Sequence, residues 1–288
     1  MRWHKRTLQT EVLAFAFDHR SQIEALSDDP KKISDFKTLC AEVVDEMATT
    51  LSGLGVLCDH RYGASALGHM QDAPIWIAGP IEWPGSRPLR FEGGDDWQGV
   101  LNRWRIDHVV KCLCFMHPDD EDGMWSDQRA QLVALSNACE ARGLSLLVEV
   151  IPPKGSDIQS DTTARNMQLI YDAGIKPVWW KLPAPTDAHW DAAWQGWRDV
   201  ISRNDPDCLG IVMLGLGAPM EEIKQVIARA SGEAMCKGFA VGRSIFGDAA
   251  QAWFSGEMDD AAAKADMAAK YAELIAAWRS GSTAPKQG

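Results

Sequence analysis

No stretch of roughly eighteen apolar residues runs through this 288-residue chain, so the sequence predicts no transmembrane helix. Basic charge is in deficit: 29 Lys and Arg against 40 Asp and Glu leave a formal net charge of -11. That balance excludes a general nucleic-acid binder, which needs a basic footprint. It leaves anionic small molecules open, because a few local cations suffice for one phosphate. The 7 cysteines are scattered and odd in number, which excludes a disulfide framework in a chain of this size. Cys112 and Cys114 form a C-x-C with no second pair to complete a zinc site. No H-x-H pair occurs either. The basic start leads into a short apolar patch that ends in Asp18-His19-Arg20, unlike a secretory signal, and a cytoplasmic protein is expected.

What is present is an alternation. Eight short apolar runs rich in β-formers lie at 12–18, 55–60, 75–80, 108–116, 144–152, 177–183, 208–215 and 238–246. Most are nearly continuous in apolarity, as parallel strands covered on both faces require. Segments of helical period lie between and after them, at 32–53, 64–72, 97–105, 126–142, 161–173, 188–203, 219–230 and 259–279. Ser126 and Pro219 read as start signals, and Gly143, Gly174 and Gly232 as stops. Strict alternation over this length predicts an α/β fold, a single-domain (β/α)8 TIM barrel over 1–280 with a disordered tail at 281–288. A doubly wound open sheet would place a glycine-rich turn after the first strand, and "FDHRSQIEALSDD" has no glycine. The longest irregular segment, 81–96, follows the third strand, where loops cover barrel sites. Trp190, Trp194 and Trp197 recur at helical spacing, which predicts a core face.

Barrel chemistry sits at the C-terminal ends of the strands, and polar residues collect there. Strand 1 ends in Asp18, His19 and Arg20, and strand 2 in Asp59, His60, Arg61 and Tyr62. Lys111, Glu149 and Lys181 each interrupt an apolar run, on the neighbouring strands 4, 5 and 6. Side chains pointing inward from such neighbours approach one another. Like charge and desolvation both favour a neutral lysine, and a free amine attacks a ketone to form a Schiff base. A glutamate beside it moves protons during carbinolamine dehydration. A buried Lys–Glu–Lys network without chemistry is the plain alternative. After strands 7 and 8, Gly215 and Gly217 and then Gly242, Arg243 and Ser244 suit a phosphate held on backbone N–H groups. Arg87 and Arg90 on the long loop offer a second anion contact. A metal-dependent lyase would instead draw ligands from His19, Asp59, His60, His117 and Glu149, and a non-catalytic sugar-phosphate binder would use the same barrel.

The stretches "LAFAFDHRSQIE", "LGVLCDHRYG", "VVKCLCF", "LLVEVIPP", "VWWKLPA", "GIVMLGLGAP" and "GFAVGRSIFGD" resemble the domain fused behind a sugar kinase in bacterial myo-inositol catabolism. That domain is assigned as 5-dehydro-2-deoxyphosphogluconate aldolase. More loosely, the same order is similar to class I tagatose-1,6-bisphosphate and sulfofructose-phosphate aldolases. The resemblance implies a cofactor-free class I aldolase. It would cleave 2-deoxy-5-keto-D-gluconate 6-phosphate to dihydroxyacetone phosphate and malonate semialdehyde. The alternative substrate is another ketose phosphate of the tagatose or sulfofructose type. By the same resemblance, Lys181 is the Schiff-base former, Glu149 the acid and base, and Lys111 the residue that orients substrate. Asp18 contacts hydroxyls or relays a proton, while Gly215, Gly217, Gly242 and Arg243 cradle a phosphate. Arg20, Asp59, Arg61 and Arg87 complete the substrate-binding set, the arginines suiting the carboxylate of a sugar acid. The kinase half is absent and strand 2 departs from the tagatose pattern around His60 and Arg61. A small-molecule sugar phosphate is the expected partner, with no nucleic acid or membrane, and barrels of this acidic type commonly form homo-oligomers.

Overall fold

The computed structural model describes residues 9–215 and 217–282. Eight strands form a closed barrel in the order β1 to β8: Val12–Ala16, Leu54–Leu57, Trp76–Pro80, Val109–Phe115, Ser145–Ile151, Trp179–Pro183, Gly210–Leu214 and Cys236–Val241. The resolved ladders β1–β2, β2–β3, β4–β5, β5–β6 and β8–β1 are all parallel. Every residue of β1, β2, β3 and β7 is buried, which is why these strands read as unbroken apolar runs. The predicted (β/α)8 architecture is the observed one.

The helices are α1 Ser21–Glu24, α2 Pro30–Ala48, α3 Ala64–His69, α4 Trp97–Val100, α5 Asp122–Arg142, α6 Thr162–Asp172, α7 Trp190–Asn204, α8 Met220–Ala230, α9 Arg243–Ser255 and α10 Asp260–Ser282. Local chemistry explains several boundaries. Asp29 caps α2 by accepting from Lys31 N at 2.9 Å, with Pro30 at the first helical position. Gly143 ends α5 in the left-handed region at φ 66°, where a Cβ would be strained. In α7 the tryptophans at 190, 194 and 197 are all buried and stack ring on ring, as their spacing predicts.

Three readings need correction. The run 238–246 is not one strand: β8 stops at Val241, and α9 starts at Arg243. Ile245, Phe246, Ala249 and Ala250 are buried at helical spacing, so the apolar "SIF" belongs to a helix face that follows the strand without a polar break. Helix α5 begins at Asp122, before Ser126, with no side-chain cap. The segment 97–105 is only the single-turn α4 followed by a 3-10 turn at Leu101–Arg103. Of the expected tail, Gly281 and Ser282 continue α10, and the remainder lies outside the described residues.

The described residues group into two compact units. Ile81–Val212 carries β4, β5 and β6 with α4 to α7. Gln9–Pro80 and the chain from Met213 carry β1 to β3 and β8 with the other helices. In the second unit α10 packs on α2, α8 and α9. Lys37 of α2 is fully buried there. Its Nζ donates to Phe17 O at 2.9 Å and His19 O at 3.1 Å and pairs with Asp59. Three donors thus meet three acceptors, and the ends of β1 and β2 are joined to one helix. Lys37→Met leaves Asp59 buried with its charge uncompensated, and denaturant unfolding is expected to show a loss of about 3–5 kcal/mol. A Lys37→Met, Asp59→Asn double variant should recover part of it; additive losses would contradict the pairing.

Candidate active site

Three charged side chains interrupt the apolar runs of β4, β5 and β6, and strand register decides that they meet. Glu149 is paired with Lys181 across β5–β6 and with Leu113 across β4–β5. Lys111 precedes Leu113 by two residues, so it shares that face one layer lower. Its long side chain spans the difference. Trp179 shares the face of Lys181, while the next residue, Trp180, points the other way. Its indole donates to the Tyr171 hydroxyl on α6 at 2.9 Å.

The result is a buried chain of four charges, not three. Lys181 Nζ donates to Glu149 Oε1 at 2.9 Å. Lys111 Nζ lies 2.9 Å from Glu149 Oε2, an ion contact outside hydrogen-bond alignment. Lys111 Nζ also donates to Glu82 Oε1 at 2.8 Å. None of the four residues is more than 7% exposed. Burial would raise the Glu149 carboxyl, but Lys111 and Lys181 outweigh it and hold it below its ordinary value. Two lysines around one carboxylate would carry a net positive charge. Glu82 balances it, so the like-charge repulsion expected from the lysine pair is offset by a second acid. Each neighbour in the chain is one short contact from the next, which is the spacing a proton transfer between amine and carboxylate needs.

Glu82 escapes a reading by apolar runs because "IWIAGP" ends at residue 80 and the acid falls in the irregular segment that follows. Its signature is that of Glu149, a carboxylate directly against an apolar strand. Lys37 escapes such a reading too, although it sits on the apolar stripe of α2 between Phe36 and Cys40.

The other expected site residues fall as follows. Asp18 is buried, with His19 Nδ1 3.8 Å from its Oδ1. Arg20 is buried and precedes α1, its carbonyl accepting from Ile23 N and Glu24 N. Asp59 has no exposed surface and is held by Lys37 and by Tyr62 N at 2.8 Å. Arg61 is half exposed, pairs with Glu24 at 3.3 Å and stacks over the Tyr62 ring. Arg87 pairs with Asp120 and donates to Phe115 O at 3.2 Å, bracing the end of β4.

The two glycine-bearing loops do come together. Gly217 has φ 71°, and a Cβ there would stand 2.7 Å from Arg243 Nη2, so the guanidinium lies against bare backbone. Ser244 Oγ donates to Ala218 O at 3.0 Å. Gly215 is packed on Val241 and Ile223. Gly242 precedes the first turn of α9 and Arg243, exposed, opens it. Bare glycine backbone, the start of α9 and a cation therefore lie together, elements that an anion site draws on.

The residues that a metal reading would draw on are dispersed into other contacts. Glu149 is held by two lysines, Asp59 by Lys37, and His117 Nε2 bonds Asp157 O at 2.9 Å. Among the described residues no three His, Cys, Asp or Glu side chains converge as a ligand set. Among them, too, no helix is long and apolar enough to cross a membrane.

No curated protein matches the chain. Residues 2–282, almost its entire length, match one family, and the chain belongs to it: "Uncharacterized protein conserved in bacteria (DUF2090)".

Proposed function

We propose that this protein is a class I aldolase in which Lys181 forms a Schiff base with a phosphorylated keto-sugar acid. The observation that carries this reading is the buried hydrogen bond between Lys181 and Glu149, with Lys111 on the other oxygen of the same carboxylate. Such a pair holds a nucleophilic amine one proton hop from an acid–base group. Glu149 accepts the Lys181 proton, and the amine adds to the substrate ketone. Glu149 returns a proton as the carbinolamine hydroxyl leaves as water, giving an iminium. Loss of the proton from the β-hydroxyl then breaks the bond between the carbons α and β to the former ketone. The electron pair enters the iminium as an enamine, and an aldehyde departs. Protonation of the enamine and hydrolysis of the iminium release the ketone product.

With 2-deoxy-5-keto-D-gluconate 6-phosphate the products are malonate semialdehyde and dihydroxyacetone phosphate, which is the assignment we favour. The Gly217–Arg243 loops supply the phosphate contacts. No cofactor enters this scheme. The seven cysteines are all free thiols, which suits a reducing, cytoplasmic setting.

The test is to incubate the protein with dihydroxyacetone phosphate, reduce with borohydride and locate the added mass by peptide mapping. The expected result is one adduct on Lys181. Turnover without any reducible adduct would end this reading, and turnover abolished by a chelator would replace it with a metal-dependent lyase. Comparing the keto-sugar acid phosphate with tagatose 1,6-bisphosphate and sulfofructose 1-phosphate assigns the substrate.

A further inference from the structure

Glu82 occupies an unusual position. Ile81 and Glu82 follow β3 directly, and together they grip Lys111 at two points. Ile81 N donates to Lys111 O at 3.0 Å, and Glu82 Oε1 accepts from Lys111 Nζ. The second carboxylate oxygen, Oε2, accepts from Leu113 N at 3.2 Å. Glu82 therefore does with its side chain what the next carbonyl of a longer β3 would do, capping an N–H of β4 where the strand turns away. The turn itself is ordered. Glu82 bridges Phe91, Trp83 N donates to Arg90 O at 2.7 Å, and Glu92 N donates to Ile81 O at 2.8 Å. The carboxylate is thus fixed on both sides, by β4 and by the base of a hairpin.

We infer that Glu82 is a positioning residue that anchors Lys111 and thereby divides the Glu149 carboxylate, leaving Oε1 to Lys181. Both of its oxygens are engaged, Oε1 by Lys111 Nζ and Oε2 by Leu113 N. Without it, Lys111 keeps its contact with Glu149 and is drawn further onto that carboxylate, in competition with Lys181. An unpaired buried ammonium is costly, so this shift is the cheapest response open to the side chain. Glu82 acts on Lys181 through Lys111, which it holds at Nζ. The consequence for catalysis rests on the Schiff-base reading above; the consequence for the Lys181 amine does not.

The experiment therefore reads the amine without any sugar. The intact protein and its Glu82→Gln, Lys111→Met and double variants are reductively methylated with formaldehyde and cyanoborohydride, and the rate at Lys181 is taken from peptide masses. Glu82→Gln is expected to methylate Lys181 about fivefold faster, because Lys111 takes Glu149 away from it. Lys111→Met is expected to methylate it more slowly, since Glu149 then serves Lys181 alone. The double variant should match Lys111→Met, the effect of residue 82 having vanished with its target. A Glu82→Gln rate within about twofold of the parent, or an effect of Glu82→Gln that persists in the Lys111→Met background, would overturn the inference. A purely structural role moves thermal stability without this dependence on Lys111. If Glu82→Gln does not fold, Glu82→Asp carries the same comparison, since it keeps the charge but withdraws the carboxylate by one methylene. Failure of the borohydride adduct in the parent protein would remove the aldolase assignment and leave the methylation comparison standing.

Discussion

Lys181→Met is expected to abolish the borohydride-reducible adduct and to lower kcat/KM for the keto-sugar phosphate by about 10⁴-fold or more, since no other group replaces a lost covalent nucleophile. The variant should fold. Methionine fills a similar volume in an apolar setting, and Glu149 keeps Lys111 as a partner at 2.9 Å, so no buried carboxylate is stranded. Circular dichroism and a thermal melt establish the fold, and turnover and trapping establish the chemistry. Retained turnover would remove Lys181 from the mechanism. A parent protein that binds the sugar phosphate as tightly as Lys181→Met but turns over nothing would instead make the barrel a binding protein.

Glu149→Gln carries the second largest effect. The amide keeps the shape and can still accept from Lys181, but it neither takes nor gives a proton at neutral pH. Turnover should fall by about 10²–10⁴-fold, the range of a general acid–base step. The reducible adduct should still accumulate, only more slowly, because the nucleophile remains. That split between slow chemistry and surviving adduct separates a proton carrier from a group needed only to hold Lys181 in place; loss of the adduct would favour the latter.

The same substitution has a pH signature. Burial opposes ionisation of Glu149, and the two ammonium groups more than compensate, so its carboxyl titrates below its ordinary value. A carboxylate depressed in the folded state stabilises the fold at neutral pH. That contribution is lost as pH falls from the ordinary carboxylate range toward the depressed folded value. The thermal midpoint of the parent should therefore fall more steeply in acid than that of Glu149→Gln. Parallel acid profiles would contradict the ion contacts.

The plain alternative, a buried Lys–Glu–Lys network that only holds the barrel interior together, makes a different set of forecasts. It predicts stability losses in all these variants, no adduct, and no turnover to lose. Three features argue for chemistry. Lys181 retains 7% exposure while Lys37, the structural lysine of this fold, retains none. Lys37 has three fixed acceptors, two of them backbone carbonyls, whereas the one hydrogen bond seen for Lys181 runs to an acid. And the loops after β7 and β8 bring glycine backbone, a helix start and Arg243 together, the elements that an anion site draws on.

Much of this was legible in the chain itself. Strands covered on both faces must be apolar throughout, so β1, β2, β3 and β7 announce themselves, and the alternation with helical segments leaves few folds to choose from. For the same reason Lys111, Glu149 and Lys181 stand out: a charge inside such a run has no solvent to reach and must meet a partner. Where local pattern was ambiguous the reading failed. The residues after Val241 are as apolar as those before it, and the change from strand to α9 shows only in the spacing of Ile245, Phe246, Ala249 and Ala250.

Partners that depend on how the chain returns to itself belong to the tertiary structure. Glu82 reaches Lys111 across 29 residues of sequence, and Lys37 reaches Asp59 across 22. Neither pairing leaves a periodic trace, because both arise where a strand ends and a loop or a helix closes over it. The sequence by itself determined the barrel and the three charges that interrupt its walls, since burial dictates residue type position by position. Only the folded chain decided that a fourth charge balances them and that Asp59 serves Lys37, since those outcomes depend on strand register and loop path, and neither is encoded in any single stretch.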